Sequence, residues 1–315
     1  MGFEQCVLEN KKILMEGALG ERLKREFGLD YDPDVAMAGF IYESKGREAL
    51  KSLWMEYMDV AVNHRLPFMA TTPTRRANKE RVGKSRFSPS IIKDNMDFLK
   101  SIGHRSGLEM YAGGLMGCRG DAYAVSEIMD TETAKSFHLW QAERFAEAGA
   151  DFLFAGIMPE INEALGMAQA MGSTGLPYII SFMIRKDGRL IDGTPILEAI
   201  EILDRKAHPK PLGFMVNCVH PAVLIEALSN NLNTSERIKE RFLGIQANTS
   251  LLPPEALDGS KALKCSDAEA LADEMLCARD KFGIKIFGGC CGTDKSHMEA
   301  IARRLCSIDG SLEYK

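Results

Sequence analysis

Two adjacent cysteines framed by glycines, in Gly288-Gly289-Cys290-Cys291-Gly292-Thr293, are the residues whose spacing points most directly to chemistry. Adjacent cysteines rarely bridge each other, because the bond closes a strained ring; a shared ligand suits them better. The flanking glycines let the backbone bend sharply and come close to whatever the sulfurs hold. A metal needs a further ligand, and the best candidate is Cys218, which closes the apolar run Gly213-Phe214-Met215-Val216-Asn217-Cys218. Three thiolates with one open position describe a catalytic zinc site, whereas four closed positions describe a structural one. The open position takes an external thiol, zinc holds that thiol ionised at neutral pH, and the thiolate is the nucleophile. The alternative of a fourth protein ligand falls on Cys118, in the glycine-rich stretch Gly113 to Asp121, a residue otherwise read as a loop or core cysteine.

Such ligands must be carried by elements that bring distant stretches together. Cys290 and Cys291 follow the apolar run Ile284 to Phe287. Beyond them Thr293 or Asp294 can cap a helix in which Met298, Ile301, Ala302 and Leu305 recur at helical spacing. Further runs read as strands at Ile13 to Met15, Leu66 to Ala70, Leu108 to Ala112, Asp151 to Pro159, Pro177 to Met183, Gly213 to Cys218 and Phe242 to Asn248. Helical patterns separate them at Arg47 to Asn63, Ser88 to Ile102, Thr131 to Ala148, Ile161 to Met171, Pro195 to Leu203 and Asp267 to Phe282; Pro221 suits the first turn of another. Apolar, mostly unalternating strands separated by helices make a parallel sheet buried on both faces. The pattern predicts an α/β chain, a single-domain (β/α)8 TIM barrel over residues 1–315, with chemistry at the C-terminal ends of the strands. Cys218 and the cysteine pair both fall at such ends, and a closed barrel brings them together. A doubly wound sheet is the alternative, but no dinucleotide fingerprint supports it.

Between these elements, Ile13 to Gly20 reads as a strand, an acid and a glycine turn, so that Glu16 and free backbone N–H groups can face a ligand. The basic stretch Arg75 to Arg86 reads as a solvated loop, with a lid or an anion contact as the alternative. Cys277 and Cys306 read as buried small hydrophobes on helices. Cys6 and Cys265 carry no motif. His138 packs or caps, and His220 and His297 either cap and pack or support neighbouring metal ligands.

The 315 residues include 45% hydrophobic side chains, enough for a large core. The net charge of −5, without a basic block, argues against nucleic acid or an anionic membrane as partner. No apolar run approaches the roughly 18 residues that span a bilayer. Met1 to Lys12 is polar and charged, without a signal-peptide core. Eight cysteines without regular spacing do not resemble a secreted disulfide framework, so a reduced, cytoplasmic protein is expected.

The residues Gly288 to Gly292 and Val216-Asn217-Cys218 resemble the GGCCG and G-[VI]-N-C motifs of the homocysteine S-methyltransferase family. That family includes the betaine- and S-methylmethionine-dependent enzymes and the thiol-binding module of cobalamin-dependent methionine synthase. Met15 to Gly20, Ile180-Ser181-Phe182, Asp187-Gly188-Arg189 and Ala247-Asn248 extend the likeness over nearly the whole chain. The resemblance implies zinc bound by Cys218, Cys290 and Cys291, and substrate contacts from Glu16, Gly17, Ala18, Thr71, Ser181, Asn217, Asn248 and Gly289. It implies methyl transfer from a sulfonium, ammonium or methyl-corrinoid donor to a small thiol, homocysteine by family precedent, which gives methionine. A neutral leaving group needs little acid help, so no essential proton donor is expected.

Three departures bear on the acceptor. Glu16 stands where the family usually has Asp, and Thr71-Thr72-Pro73-Thr74 replaces an asparagine-containing N-T-[YF]. Gly156 stands where many members carry the Glu of E-T-I-P, which helps hold the amino acid; Glu160 is the candidate to compensate. The chain is therefore expected to keep the metal chemistry and to alter the amino acid pocket, so that the acceptor is homocysteine or a thiol without an amino group. A second reading makes it the thiol-activating component beside a separate corrinoid protein. A third makes the metal purely structural.

Overall fold

The computed structural model describes residues 1–106, 108–123, 128–252 and 266–307, so Cys265 lies outside the described residues. The expected strands are present as β1 (Ile13–Met15), β2 (Phe68–Thr71), β3 (Met110–Gly117), β4 (Phe152–Met158), β5 (Tyr178–Phe182), β6 (Gly213–Val219), β7 (Phe242–Ala247) and β8 (Ile286–Gly289). Each pairs in parallel with the next. β8 returns to β1 with Ile13 opposite Ile286, and the barrel closes.

The lack of polar alternation has a direct cause. One set of strand residues, including Ile13, Met15, Met69, Phe152, Phe154 and Met215, fills the barrel interior. The other set, including Leu14, Phe68, Leu153 and Phe214, packs on the surrounding helices. Both faces are buried, so both are apolar.

Two stretches depart from the expectation. The glycine-rich run read as a loop after the third strand is largely strand, because β3 continues to Gly117. A Cβ on Gly113 would lie 2.3 Å from the Phe152 ring, and one on Gly114 would lie 2.4 Å from the Phe145 ring. The missing side chains make room for an aromatic ring on each face, inside and outside the barrel. At the N-terminus, where composition is polar, a helix spans Phe3–Glu9. Its Phe3, Cys6 and Val7, at i, i+3 and i+4, join the interior cluster. Phe3 stacks on Phe152 with centroids 4.1 Å apart, so this helix plugs the barrel interior.

The helices between strands match the periodicity, as at Ser44–His64, Ile91–Ser106, Thr131–Glu147, Ile161–Gly172, Ile196–Lys206, Ala268–Phe282 and Lys295–Ser307. Pro221 opens the helix Pro221–Ser229. The loop-like Asp30 to Gly46 contains a 3-10 turn at Met37–Tyr42, and the basic stretch contains a short helix at Lys79–Lys84. No helix among the described residues is long and apolar enough to cross a membrane.

The barrel is irregular where the site lies. The β4–β5 register shifts between Ala155 and Met158, and the β6–β7 register shifts between Asn217 and Val219. Inside these bulges Ile157 and Cys218 both have φ of 58°, a left-handed conformation that costs a side-chain-bearing residue of the order of 1–3 kcal/mol.

Candidate metal centre and its cavity

The bulge in β6 brings Cys218 to the loop that follows β8. The Cys218 sulfur lies 3.0 Å from that of Cys290 and 3.6 Å from that of Cys291, which are themselves 4.0 Å apart. The described cysteines are all free, so no vicinal bridge competes. Tetrahedral zinc with bonds of about 2.3 Å spaces its sulfurs about 3.8 Å apart. Two of the three separations sit beside that value, and the third needs to open by about 0.8 Å.

Neighbouring strands hold the loop. Cys290 N–H donates to the Ala247 carbonyl at 2.7 Å, Thr249 N–H to the Cys291 carbonyl at 3.1 Å, and Gly292 N–H to the Glu21 carboxylate at 2.6 Å. Thr293 links it to the segment after β1, since its hydroxyl accepts from Ala18 N–H at 3.0 Å and donates to the Cys290 carbonyl. The charges also call for a cation. Hydrogen bonds shared with Cys290 and then Cys291 hold the Cys218 thiol well below its ordinary value despite burial. The same contact with Cys218 pushes Cys290 and Cys291 well above theirs. A dication would favour the ionised form of all three sulfurs.

Cys118 does not join them. Its thiol reaches the Gly120 carbonyl at 3.6 Å, burial pushes it up to about 11, and the metal-competent group among the described residues is Cys218, Cys290 and Cys291 alone. The closed four-sulfur reading therefore loses Cys118, and no other described cysteine joins the group. His220 caps the helix after β6 by accepting from Ala222 N–H, and its ring also meets Ser266; His297 meets Asp294 and the Ser266 carbonyl. Both rings cap and pack as anticipated, and neither hydrogen-bonds to a cysteine sulfur. His138 is fully buried against Glu163 at 2.9 Å.

The sulfurs border a cavity of about 580 Å³. Glu16, Gly17, Ala18, Thr71, Asn217 and Gly289 line it. The Glu16 carboxyl, buried at the end of β1, accepts from Thr71 N–H at 2.8 and 3.0 Å and from its hydroxyl at 2.6 Å. Burial outweighs those bonds and pushes it up to about 8. Asn217 ties the two bulges together: its carbonyl oxygen accepts from Ile157 N–H at 3.1 Å and its amide donates to Gln246. The expectation of free N–H groups after Glu16 needs correction at Ala18, whose N–H is taken by Thr293.

Ser181 and Asn248 are not on the cavity wall. Ser181 is fully buried in β5. Asn248 instead sits behind the metal centre, its amide nitrogen 3.8 Å from the Cys218 sulfur and its oxygen accepting from Ser250 N–H at 2.9 Å. Sequence reasoning missed Tyr123, whose hydroxyl lies 4.0 Å from the Cys218 sulfur, along with Tyr31 and Gln246 on the wall. No local signal marks them, since each is a single polar side chain at a strand end or in a loop.

The homocysteine S-methyltransferase family model matches residues 13–305. The chain belongs to the homocysteine S-methyltransferase family. It is thereby a thiol S-methyltransferase by class. Homocysteine S-methyltransferase 2 of Arabidopsis thaliana is 22% identical over 271 residues, 84% of this chain and 74% of that protein. Selenocysteine Se-methyltransferase of Brassica oleracea var. italica is 25% identical over 186 residues, 58% of this chain and 51% of that protein. The chain thus spans about half to three quarters of these curated relatives. The metallated homocysteine methyltransferase MmuM of Escherichia coli shares the fold, with a TM-score of 0.74 over 95% of this chain and 98% of that one at 18% identity.

Within a homocysteine S-methyltransferase scaffold, the corner at Gly156 has a physical description. Gly156 lines the cavity, and a Cβ there would lie 2.9 Å from Leu115 Cδ1, so Leu115 crowds the space a side chain at this position would enter. Glu160 does not compensate. Its carboxylate caps the helix Ile161–Gly172, accepting from Asn162 and Glu163 N–H at 2.7 and 2.8 Å, and it is absent from the cavity wall.

Proposed function

We propose that this family member is a zinc-dependent methyltransferase that holds a small thiol at Cys218, Cys290 and Cys291 and passes it a methyl group from a sulfonium, ammonium or methyl-corrinoid donor. The observation that carries the reading is three sulfurs 3.0–4.0 Å apart on a cavity wall, with no fourth protein ligand in their group among the described residues. Zinc, when bound, supplies the positive charge that keeps an incoming thiol ionised at neutral pH. The chain contributes placement. Cys218 comes from β6 and Cys290 and Cys291 from the loop after β8, which fixes where the acceptor sulfur sits relative to the cavity. The acceptor's lone pair forms the new S–CH3 bond while the donor's bond to that methyl breaks, and the electron pair leaves with the neutral donor remnant. Nothing in that exchange needs a proton donor.

Glu16 is the cavity's own answer to a cation. Raised to about 8 by burial, it is mostly neutral at about pH 7 and ionises when an ammonium or onium group arrives beside it. Homocysteine is the acceptor by family precedent, and a thiol without an amino group is the alternative that Gly156 favours. We read residues 1–315 as one cytoplasmic domain acting on small molecules, with neither nucleic acid nor membrane as partner.

Elemental analysis of the purified protein should find about one zinc per chain, and the zinc X-ray edge should change when thiols are added. A fully loaded protein whose edge responds to no thiol overturns the reading. Turnover with free S-methylmethionine or betaine and no second protein assigns the donor to the onium class; turnover only with an added methyl-corrinoid protein assigns it to that partner.

A further inference from the structure

The basic stretch after β2 sends three arginines to the same cavity. Arg75, Arg76 and Arg81 all line it, and all are half-buried. None has a carboxylate at ion-pair distance among the described residues. Arg76 donates to the Gly120 carbonyl at 3.1 Å and Arg81 to the Asp34 carbonyl at 3.0 Å. Arg75 has neither a hydrogen bond nor an ion pair among the described residues. Other partly or fully buried arginines of this protein are treated differently. Arg22 pairs with Glu26 and Glu56, and Arg237 and Arg241 both pair with Asp204.

The carboxylates on the cavity wall do not supply the missing charge. Glu16 is engaged by Thr71 and raised by burial. Glu21 accepts from Gly292 N–H and pairs with Arg25 at 3.5 Å. Asp32 accepts from Asp34 and Val35 N–H, both at 3.0 Å. Asp121 lies in the field of Arg76, outside ion-pair reach. Burial, then repulsion from Arg75 and Arg81, draws Arg76 below its ordinary value. Three crowded guanidinium groups facing one cavity, none with a carboxylate at ion-pair distance among the described residues, suit an anionic ligand. Guanidinium forks match the planar or tetrahedral oxygens of an acid group.

The arginines and the sulfurs also share neighbours. Tyr123, with its hydroxyl 4.0 Å from the Cys218 sulfur, lines the same cavity as Arg75, Arg76 and Arg81, and so does Tyr31.

We propose that Arg75, Arg76 and Arg81 form an oxyanion-binding wall of the thiol cavity, so that the reactant seated there carries a carboxylate or sulfonate. The proposal rests on the methyl-transfer reading for the identity of the other group in the cavity, and it gives that reading a substrate class: small acids whose charge is read by side chains. It also fits the apolar corner made by Gly156 and Leu115, which offers nothing to an ammonium.

Calorimetric titration of the zinc-loaded full chain tests it with four thiols: 3-mercaptopropionate, 2-mercaptoethanesulfonate, neutral 2-mercaptoethanol and cationic cysteamine. The acids should bind about tenfold tighter than 2-mercaptoethanol, the factor one charge-assisted contact commonly provides. The preference should vanish in the Arg75→Gln/Arg81→Gln double variant, whose fold is checked by circular dichroism and melting. A donor arm compares a carboxylate-bearing sulfonium with its methyl ester; a preference there instead assigns the acid group to the donor. Thiol-free propane-1-sulfonate, titrated into metal-free protein, reads the arginines alone and should bind wild type but not the double variant. If no thiol binds while the sulfonate does, the methyl-transfer reading falls and the anion wall stands. Absence of any acid preference in both arms, or a preference that survives in the double variant, overturns the proposal.

Discussion

At the scale of single residues, Glu16 carries the clearest consequence for pH. Its carboxyl is raised from an ordinary 4.5 to about 8 by burial at the end of β1. Between those values the folded chain keeps a proton that the unfolded chain has lost, so this group's contribution to stability is full below about 4.5 and is lost as pH rises through about 8. Glu16→Gln keeps the shape and removes the titration. Its melting temperature should vary less between pH of about 5 and about 8 than that of wild type, with a difference on the order of 3 kcal/mol across the window. Parallel profiles for the two proteins would show that Glu16 titrates normally. Gly156 yields a second residue-level test. Gly156→Glu combined with Leu115→Ala places a carboxylate where Leu115 now crowds the wall. In calorimetry it should shift the preference between homocysteine and 3-mercaptopropionate about tenfold towards homocysteine. An unchanged ratio would mean that an ammonium does not visit this corner.

The three sulfurs were legible in the sequence because a cysteine pair between glycines has few bland explanations. Glu160 stayed open in the sequence for the opposite reason: a carboxylate just past a strand reads equally well as a ligand contact or a helix cap, and only the Asn162 and Glu163 N–H partners decide. Tyr123 and the arginines were beyond reach, since what matters about them is their place on the cavity wall and, for the arginines, that no carboxylate lies at ion-pair distance among the described residues.

At the scale of elements, the strands were legible because a parallel barrel buries both faces, and the helices because their apolar stripes face it. Two elements were hidden by their company. β3 is concealed by glycines whose value lies in the Phe145 and Phe152 rings they admit. The helix Phe3–Glu9 is concealed by its polar residues, although Phe3, Cys6 and Val7 form a stripe narrow enough to plug the barrel. Phe3→Ala removes the ring that stacks on Phe152 and meets Tyr111 edge-on at 5.5 Å. Urea unfolding should report a loss of about 3 kcal/mol with metal content unchanged. A loss under about 1 kcal/mol would mean the plug frays without cost to the barrel.

At the scale of the whole molecule, the metal centre joins parts of the barrel that the chain itself leaves separate. β6 and β8 do not pair with each other; β7 lies between them, and the sulfurs meet over its end. A bound ion would therefore clamp a bulged, strained strand to the loop after β8, the strand that closes the barrel on β1. The unfolded chain has no such arrangement, so binding energy at the site is also folding energy. Free zinc at about a thousand times its dissociation constant would add about 4 kcal/mol. For a barrel of this size that is on the order of 8 °C in melting temperature. Scanning calorimetry with and without a chelator should find that difference in wild type and in Cys118→Ser, and should lose it in Cys218→Ser, where one strand lets go. A zinc-loaded protein that melts at the same temperature after chelation would mean that the three sulfurs are held together by the barrel alone, and that the ion, if it comes, adds chemistry without adding structure.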